Sequence, residues 1–451
     1  MTDLLVRGAL AVAGGGEPEP LDVAIADGRI AALGPELAGP ARAELDARGL
    51  HLLPGVVDPH VHLDDPGRAH WEGFPTGTAA LVAGGATTTV DMPLNSIPPT
   101  VDGPGFDAKL AAAAGRAHCD FGLWGGCVPG NADELAGLAA RGVVGFKAFM
   151  SATGVDEFRA CGEDDLHAGM AAAAELGLPV AVHAEDDELT GRLAAQAAAA
   201  GRVSMRDYLA SRPVEAEVRA VERALALAEA TGCALHVVHV SSGRAAGLVA
   251  EARARGLDVT CEVCPHHLLL TDEDAERIGL LAKCAPPLRT AAECERLWAR
   301  LVAGEIAWVA SDHSPAAPEL RTGDALHAWG GIAGAQSTLE LMLTHAHHER
   351  GMALGRLAWL LGGAAARRLR LAGKGTLEVG ADADLALVDL GAERTLEPRE
   401  LWYRHKVSPY TGRALRARVE RTILRGETVY AAGVVAGPAR GRLVAPALSR
   451  V

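Results

Sequence analysis

The alternation of apolar and polar residues divides the chain into two β-rich ends and a longer middle part. Near the start, LDVAIADGRIAAL alternates like two strands joined by a tight turn at Asp27-Gly28. Near the end, ADADLALVDL and RTILRGETVYAAG alternate in the same way and are interrupted by glycine. We therefore expect residues 1–50 and 375–451 to form one small β domain together.

In the middle part, residues 51–374, apolar runs typical of buried strands alternate with Ala-rich helical runs. Eight strand candidates follow in order: HLLPGVVDPHVH, ATTTVDMP, DFGLWGGCV, GVVGFKAFM, PVAVHAE, ALHVVHVSS, DVTCEVCP and IAWVASDHS. These β/α alternations predict an α/β protein with a TIM-type (β/α)8 barrel. A doubly wound open sheet is the alternative that the same pattern allows.

The net charge and the composition of the chain indicate which kinds of binding partner are not expected. The net charge of -14 argues against nucleic acids and anionic membranes, because both select basic surfaces. No basic leader and no uncharged apolar run of about 20 residues occurs, so a membrane span is not expected. Cys261 and Cys264 have redox or zinc-ribbon spacing, but on a strand they point to opposite faces. We expect reduced core thiols and a cytoplasmic protein.

Side chains of the kinds that bind metals stand at the carboxyl ends of several predicted barrel strands. They are His60, His62, Lys147, His183, His239 and Asp312. In barrels of this kind the catalytic residues lie at this end. The His-x-His pair matches the two-residue period of a strand, so both imidazoles are expected to point into the mouth of the barrel.

Four histidines and a carboxylate in one place are typical ligands of borderline divalent cations, and four imidazoles can hold two of them. Two neighbouring cations need an anionic bridge, which a protonated lysine does not provide. A buried lysine with a lowered pKa can react with CO2 instead, and the resulting carbamate has two oxygens that can bridge metals. The pattern thus indicates a binuclear site bridged by Lys147.

Each of these residues has an ordinary explanation when taken alone. A single His-x-His is more often core or surface than metal-binding, and a strand-end lysine is usually solvated. We assign ordinary roles to His236, His345, His347 and His348. Another group stays open, of which the first two could approach the site: His266, His267, His118, His313 and His405. The joint pattern favours the metal site, because six such residues at matching strand ends rarely coincide by accident.

The motifs that contain these residues resemble those of the cyclic amidohydrolases, which include dihydroorotases, hydantoinases, dihydropyrimidinases and allantoinases. They run in family order from Pro54 to Pro315: PGVVDPHVH, GFKAF, VHAE, HVVHVSS, CEVCPHH, CAPPLR and SDHSP. The resemblance covers essentially the whole chain. It implies a barrel hydrolase whose terminal segments join into a small β-sandwich beside the barrel.

The resemblance also implies a role for each candidate ligand. One metal is expected on His60, His62, Asp312 and Lys147, the last as a bridging N6-carboxylysine, and the second on the same bridge with His183 and His239. The family's usual ion is Zn2+, with Mn2+, Co2+, Ni2+ or Fe2+ in some members, and CO2 or bicarbonate supplies the carboxylate. Asp312 is expected to transfer the proton of the attacking hydroxide to the leaving nitrogen. Members are commonly homo-oligomers, so a homotetramer is expected.

Three loops resemble those of the allantoinase branch: PGRAHWEG (66–73), MPLNSIPPT (92–100) and AWGGIAGAQS (328–337). The Arg that dihydroorotases carry directly after His-x-His is replaced by Leu63, and no Tyr follows Lys147 as it does in hydantoinases. This implies hydrolytic ring opening of (S)-allantoin to allantoate, a step of purine degradation. A hydantoinase or dihydropyrimidinase is the alternative, and a non-catalytic relative that has lost its metals is a remote one.

Substrate contacts are expected from polar groups on the loops. By resemblance we expect Asn95, Ser314, Gly331 and backbone groups near Pro287 to contact a small polar ring. Asn95 is equally consistent with a turn residue, and Ser314 with a helix N-cap. Glycine at position 331 allows a close approach of the loop backbone. A loop that covers the mouth has polar residues suited to a ureido-bearing substrate: Arg68, His70 and Glu72.

Overall fold

Five strands joined by turns form the first part of the chain in a computed structural model that describes residues 1–13 and 15–447. They are β1 (Thr2–Ala11), β2 (Glu19–Ala26), β3 (Arg29–Gly34), β4 (Ala41–Asp46) and β5 (His51–Pro54). Asp27 and Gly28 connect β2 to β3 with φ values of 51° and 74°. Positive φ at both central residues is typical of the turns that suit hairpins, and the predicted hairpin is confirmed.

The barrel strands follow in the predicted order. They are β6 (Val56–Val61), β7 (Ala86–Asp91), β8 (Asp120–Leu123) with β9 (Gly125–Gly126), β10 (Phe146–Phe149), β11 (Val180–His183), β12 (Leu235–Val237), β13 (Val259–Val263) and β14 (Trp308–Val309). β6, β7 and β8 pair in sequence order, and so do β9 to β14. All of these pairings are parallel. Each of the eight predicted strand segments therefore contains a strand.

Hydrogen bonds close the ring where the two sets of strands meet. The amide of His62 donates to the carbonyl of His313 over 2.7 Å, beside a parallel bridge between Val61 and His313. On the opposite side, the amide of Val144 donates to the carbonyl of Leu123 over 3.0 Å. The predicted (β/α)8 barrel is confirmed, and the doubly wound open sheet is wrong.

Helices connect the strands and cover the outside of the barrel. They are α1 (Phe74–Ala83), α2 (Gly103–Ala113), α3 (Leu135–Arg141), α4 (Glu163–Glu175), α5 (Asp187–Ala199), α6 (Met205–Ser211), α7 (Val214–Thr231), α8 (Gly243–Ala254), α9 (Pro265–Leu269), α10 (Asp272–Ile278), α11 (Ala291–Val302), α12 (Thr338–Met342), α13 (Leu354–Ala358) and α14 (Ala364–Arg368). Side-chain caps fix several of the starts, among them α5, where Asp186 accepts from the amide of Leu189, and α8, where Ser242 accepts from that of Ala245. These caps follow β11 and β12 closely, so they also fix where those strands end.

The last strands return to the first ones. They are β15 (Leu385–Asp389), β16 (Arg394–Thr395), β17 (Ala414–Leu415), β18 (Arg418–Leu424), β19 (Glu427–Ala431) and β20 (Val434–Val435). Among the described residues, one nine-stranded sheet has the order β20-β19-β18-β15-β5-β1-β2-β3, with β4 paired to β1. It has its own apolar core around Ile25, Leu52, Leu385 and Ile423. The small β-sandwich built from both ends is confirmed, while the boundaries 1–50 and 375–451 stay a prediction.

A buried lysine lies among three aspartates where this terminal sheet meets the barrel. Lys374 Nζ is 2.6 Å from Asp120 Oδ2, 2.9 Å from Asp382 Oδ2 and 2.8 Å from Asp384 Oδ2. Although burial opposes its charge, Asp384 and Asp120 raise the pKa of Lys374 above its ordinary value. Because Asp120 begins β8, this ion cluster ties the terminal sheet to the end of the barrel opposite the strands' carboxyl ends.

Two further observations concern the cysteines and the helices. All eight cysteines, including Cys261 in β13, are buried and free of disulfides. Within the part of the chain that the structure describes, no helix is both long enough and apolar enough to cross a membrane.

Candidate active site

The predicted ligand residues come together at the carboxyl ends of the barrel strands, and all of them are buried. The ring centroid of His60 is 5.6 Å from that of His62 and 5.4 Å from that of His239, which in turn is 4.8 Å from that of His183. Phe149 stacks on His183 at 4.7 Å, and Lys147 Nζ is 4.8 Å from the centre of the Phe149 ring. Side chains from β6, β10 and β11 thus meet the residues that follow β12 and β14.

Ring nitrogens and a carboxylate oxygen converge within this cluster. Asp312 Oδ1 is 3.2 Å from His60 Nε2 and 3.5 Å from His62 Nε2, while His183 Nδ1 is 3.1 Å from His239 Nε2. Burial lowers the pKa of His62 and holds that of His239 well below its ordinary value. Both imidazoles are therefore neutral, which is the form that binds metals.

Asp312 remains ionised in the same environment. Burial opposes its charge, but His60 and His62 hold the pKa of the Asp312 carboxyl below its ordinary value. Neutral imidazoles with an ionised carboxylate form a donor set of the kind that divalent zinc, cobalt or manganese takes.

Two buried carboxylates lie behind the histidines. Glu262 accepts from His60 Nδ1, from His236 Nε2 at 3.1 Å and from Trp308 Nε1 at 2.7 Å. These contacts leave His60 Nε2 free to face Asp312. Metal-binding histidines usually have such a carboxylate partner, which sets the tautomer and the ring orientation.

Glu185 is the carboxylate partner of His183, in the second pair of histidines, His183 and His239. Glu185 Oε2 is 2.9 Å from His183 Nε2 and also pairs with Arg212, so His183 Nδ1 is left to face His239. Sequence reasoning missed both carboxylates. The signals were present, since Glu262 is an acid in the middle of an apolar strand and Glu185 follows His183 by one strand period.

Lys147 is the member of the cluster without a hydrogen-bond partner. Its Nζ is fully buried and, among the described residues, contacts no acceptor. Burial lowers the pKa of Lys147 to about 7. A buried amine that is readily neutral and unpartnered beside four imidazoles fits the carboxylated lysine expected from the sequence, so the residues present fit a divalent metal site.

Two of the ligand residues have backbone conformations that side chains rarely adopt. His239 has a φ of 39° and Asp312 one of 43°, and Asn95 at the edge of the site has a φ of 65°. Such conformations cost about 1–3 kcal/mol each and persist where the surroundings impose them. Both ligand residues come just after a barrel strand, His239 after β12 and Asp312 after β14.

A cavity of about 350 Å³ opens onto the cluster. Of the predicted substrate contacts, Asn95, Ser314 and Gly331 line it, whereas Pro287 does not. Cys284 and Ala285, of the same segment as Pro287, are part of the wall. Gly331 has a φ of 124°, and a Cβ there would lie 2.0 Å from the carbonyl oxygen of Ser314, so only glycine fits this position.

The polar residues of the loop over the mouth do not line the cavity. Arg68 donates to the carbonyl of Asn95 over 2.8 Å, and Glu72 accepts from the amide of Arg404 at 3.1 Å. The carbonyl of His70 accepts from His405 Nε2 at 2.8 Å. These residues fasten the loop to its neighbours and do not face a substrate in the cavity.

The remaining histidines described here are not among the cavity-lining ligand residues. His236 supports Glu262, and His345 pairs with Glu349 at 2.9 Å. His266 and His267 are buried in α9 but do not line the cavity, and both ring nitrogens of His266 lack a partner among the described residues.

Comparison with known proteins agrees with this geometry. The model of the amidohydrolase family matches residues 51–429. The chain is 58% identical to the allantoinase of Rubrobacter xylanophilus over 98% of both chains, and 52% identical to that of Solibacter usitatus over 99% of this chain and 97% of the other. Among solved structures, the L-hydantoinase of Arthrobacter aurescens superposes with a TM-score of 0.96 at 34% identity, covering 99% of this chain and 100% of that one. The chain belongs to the amidohydrolase family.

Proposed function

We propose that this chain is an allantoinase, which opens the ring of (S)-allantoin by hydrolysis and releases allantoate. The observation that carries this proposal is its identity of 58% and 52% to two curated allantoinases over almost the entire length. The L-hydantoinase is more distant at 34%, and the stretch after Lys147 has no tyrosine of the kind expected in a hydantoinase. The predicted ring opening is a step of purine degradation.

We further propose two divalent metal ions per subunit, most simply Zn2+, with Lys147 carboxylated by CO2 or bicarbonate as their bridge. His60, His62 and Asp312 would hold one ion, and His183 and His239 the other. The buried, unpartnered Nζ of Lys147 supports this arrangement, because carboxylation needs a neutral amine and gives it two acceptor oxygens. When bound, such ions activate water as a nucleophile and polarise the amide carbonyl.

Asp312 is the residue proposed to move the proton. The amide bond between the ring carbonyl carbon and the ring nitrogen breaks, and water adds its oxygen to the carbon. Asp312, held ionised by His60 and His62, accepts a proton from the water and gives it to the departing nitrogen. The ring is oriented by Asn95, Ser314 and the Gly331 backbone, while backbone groups near Pro287 stay a prediction, with Cys284 and Ala285 in the wall.

A hydantoinase or dihydropyrimidinase is the second candidate, and one observation favours it. The dihydropyrimidinase of Brevibacillus agri superposes with a TM-score of 0.93 at 29% identity, so the same backbone accommodates other cyclic amides. A non-catalytic relative is disfavoured by the complete set of six ligand residues. Assembly as a homotetramer and a cytoplasmic location stay predictions.

Hydrolysis of four cyclic amides by one enzyme preparation tests the proposal. Protein purified without chelator and supplied with zinc and bicarbonate is assayed on allantoin, hydantoin, dihydrouracil and dihydroorotate. We expect allantoin to have the highest kcat/KM. Faster turnover of hydantoin or dihydrouracil would replace the proposed substrate and leave the metal site and the chemistry unchanged.

A further inference from the structure

Lys283 brings a buried positive charge to the wall of the active-site cavity. It precedes Cys284 in the segment after α10, and 6% of its surface is exposed. Its Nζ donates to the carbonyl of Ala328 and, over 3.4 Å, to that of Leu326. An ammonium group has three donors, so one N–H is left over.

No carboxylate among the described residues lies within ion-pair distance of Lys283 Nζ. The ring of Tyr208 packs against Lys283, with its centre 4.6 Å from Nζ, and the Tyr208 hydroxyl donates to the carbonyl of Cys284 over 2.8 Å. A buried cation without a counter-ion is costly unless strong acceptors surround it. The remaining N–H of Lys283 can therefore be satisfied by a ligand with a strong acceptor, such as a urea carbonyl.

Four other polar side chains of the wall have partners within the protein. Arg212 pairs with Glu185, and the Ser314 hydroxyl donates to the carbonyl of Asp312 over 3.1 Å. Thr153 donates to the carbonyl of Phe158 over 2.7 Å, and His327 contacts Asp324 at 2.9 Å. Among the described residues that line this wall, Lys283 is thus the cationic side chain without a carboxylate partner.

Allantoin differs from hydantoin by an exocyclic ureido group, which adds one carbonyl acceptor and several N–H donors. We propose that Lys283 donates to the carbonyl oxygen of this ureido group and determines the preference for allantoin over hydantoin. The carbonyl of Ala328, which Lys283 holds in place, is the adjacent acceptor for the ureido N–H groups. This inference rests on the proposed function, since it names the part of allantoin that the cavity recognises.

Lys283 also fastens the loop that contains Leu326 and Ala328, so a control must separate recognition from loop order. Arg321 provides it, because its Nη2 donates to the carbonyl of Gly331 over 2.7 Å in the same loop. Arg321 does not line the cavity. Loss of Arg321 should loosen the loop without removing a donor to the substrate.

The test compares Lys283→Met and Arg321→Gln with the unaltered holoenzyme on two substrates. For each enzyme, kcat/KM is measured on allantoin and on hydantoin. If hydantoin turns over too slowly, its inhibition constant against allantoin is measured instead. Metal content and thermal unfolding are measured in parallel, and Lys283→Arg is tested for partial rescue.

We expect Lys283→Met to lose about 10- to 100-fold in kcat/KM on allantoin, mainly through KM, as for one hydrogen bond to a charged group. Its value for hydantoin should change less than about threefold, and Arg321→Gln should affect both compounds alike. Equal losses on both compounds in Lys283→Met, or an unchanged value for allantoin, would overturn the proposal. Failure of the unaltered enzyme to hydrolyse allantoin would instead refute the proposed function itself.

Discussion

Two buried lysines in this chain have opposite surroundings. Lys374, at the joint between the terminal sheet and the barrel, lies within 2.9 Å of oxygens from Asp120, Asp382 and Asp384, and its pKa is raised. Lys147, at the other end of the barrel, has no hydrogen-bond partner among the described residues, and burial lowers its pKa to about 7. The same side chain thus serves as a permanent cation in one place and as a potential neutral amine in the other.

The difference shows what distinguishes a structural ion cluster from a reactive site. Around Lys374 the charges are balanced by the protein alone, so nothing further is needed for stability. Around Lys147, four imidazoles and an amine lie together, and Asp312 and Glu262 are the acids that favour the charged form of the lysine. The protein alone therefore does not satisfy these groups. In the proposed enzyme, divalent cations and carboxylation of Lys147 would satisfy them.

Removal of Lys147 is expected to have the largest effect on function. Lys147→Ala deletes the proposed bridge, so zinc content should fall sharply and kcat on allantoin by at least about 1,000-fold. Short carboxylic acids in solution should restore part of both, because they can supply the missing oxygens. Elemental analysis and the ring-opening assay check this; a variant with full zinc content and activity would rule out the carboxylated lysine.

Removal of Lys374 should affect stability and leave the site intact. Lys374→Met leaves the buried Asp384 without its ion pair, while Asp120 keeps Arg425 and Asp382 keeps Arg29, and we expect a cost of about 3–5 kcal/mol in the free energy of unfolding. Because the pKa of Lys374 is raised, its contribution is complete at neutral pH and is lost only as pH rises through that elevated pKa. Denaturant unfolding measures the change. Loss of zinc from folded variant protein would contradict the separation of the two regions.

Glu262 tests how far the metal site depends on its surroundings. Glu262→Gln weakens the acceptor that orients His60, so we expect metal affinity to fall about 10- to 100-fold. Competition with a chelator measures the affinity. Glu340→Gln is the matched control, since Glu340 is another buried carboxylate, paired with Arg394 away from the site. Similar losses in both variants would assign the effect to general destabilisation.

The smallest expected effect is the pH dependence that Lys283 gives to substrate preference. Lys283 has carbonyl acceptors, unlike Lys147, but no carboxylate partner, unlike Lys374. Burial and the nearby Arg212 lower the pKa of Lys283 to about 8, with Asp324 acting in the opposite sense and Tyr208 packed against it. The neutral amine has two N–H groups, which the carbonyls of Ala328 and Leu326 accept, so the charged form supplies the third N–H for the ureido group. The ratio of kcat/KM on allantoin to that on hydantoin should therefore decline severalfold as pH rises through about 8. A ratio that stays flat in the unaltered enzyme would contradict this.

The barrel and its ligands could be predicted from the sequence because they follow local rules. Strands of two to six residues alternate with helices, and the ligands stand at the strand ends, where the topology brings them together. The loops could not be predicted in this way. The loop over the mouth is held by Arg68 and Glu72, which bond Asn95 and Arg404 from distant parts of the chain.

Residues around the ligands were also beyond reach of the sequence pattern. Arg212 and Lys283 reach the cavity through the packing of α6 and of the segment after α10, and neither position has a periodic signal. Glu262 and Glu185 had such a signal, but assigning it needs knowledge of which histidine each acid faces. Long-range contacts, and not local preferences, decide these roles.

The hydrogen bond between His62 and His313 joins the first barrel strand to the residues after the last one, so this closure of the ring forms late in synthesis. A growing chain that has not yet produced Asp312 lacks both that closure and one of the metal ligands. Strand β5 likewise pairs with β15, which is synthesised more than three hundred residues later, so the terminal sheet is completed only then. Tight metal binding is therefore expected only from a finished chain, and the bound metal reports that the barrel has closed.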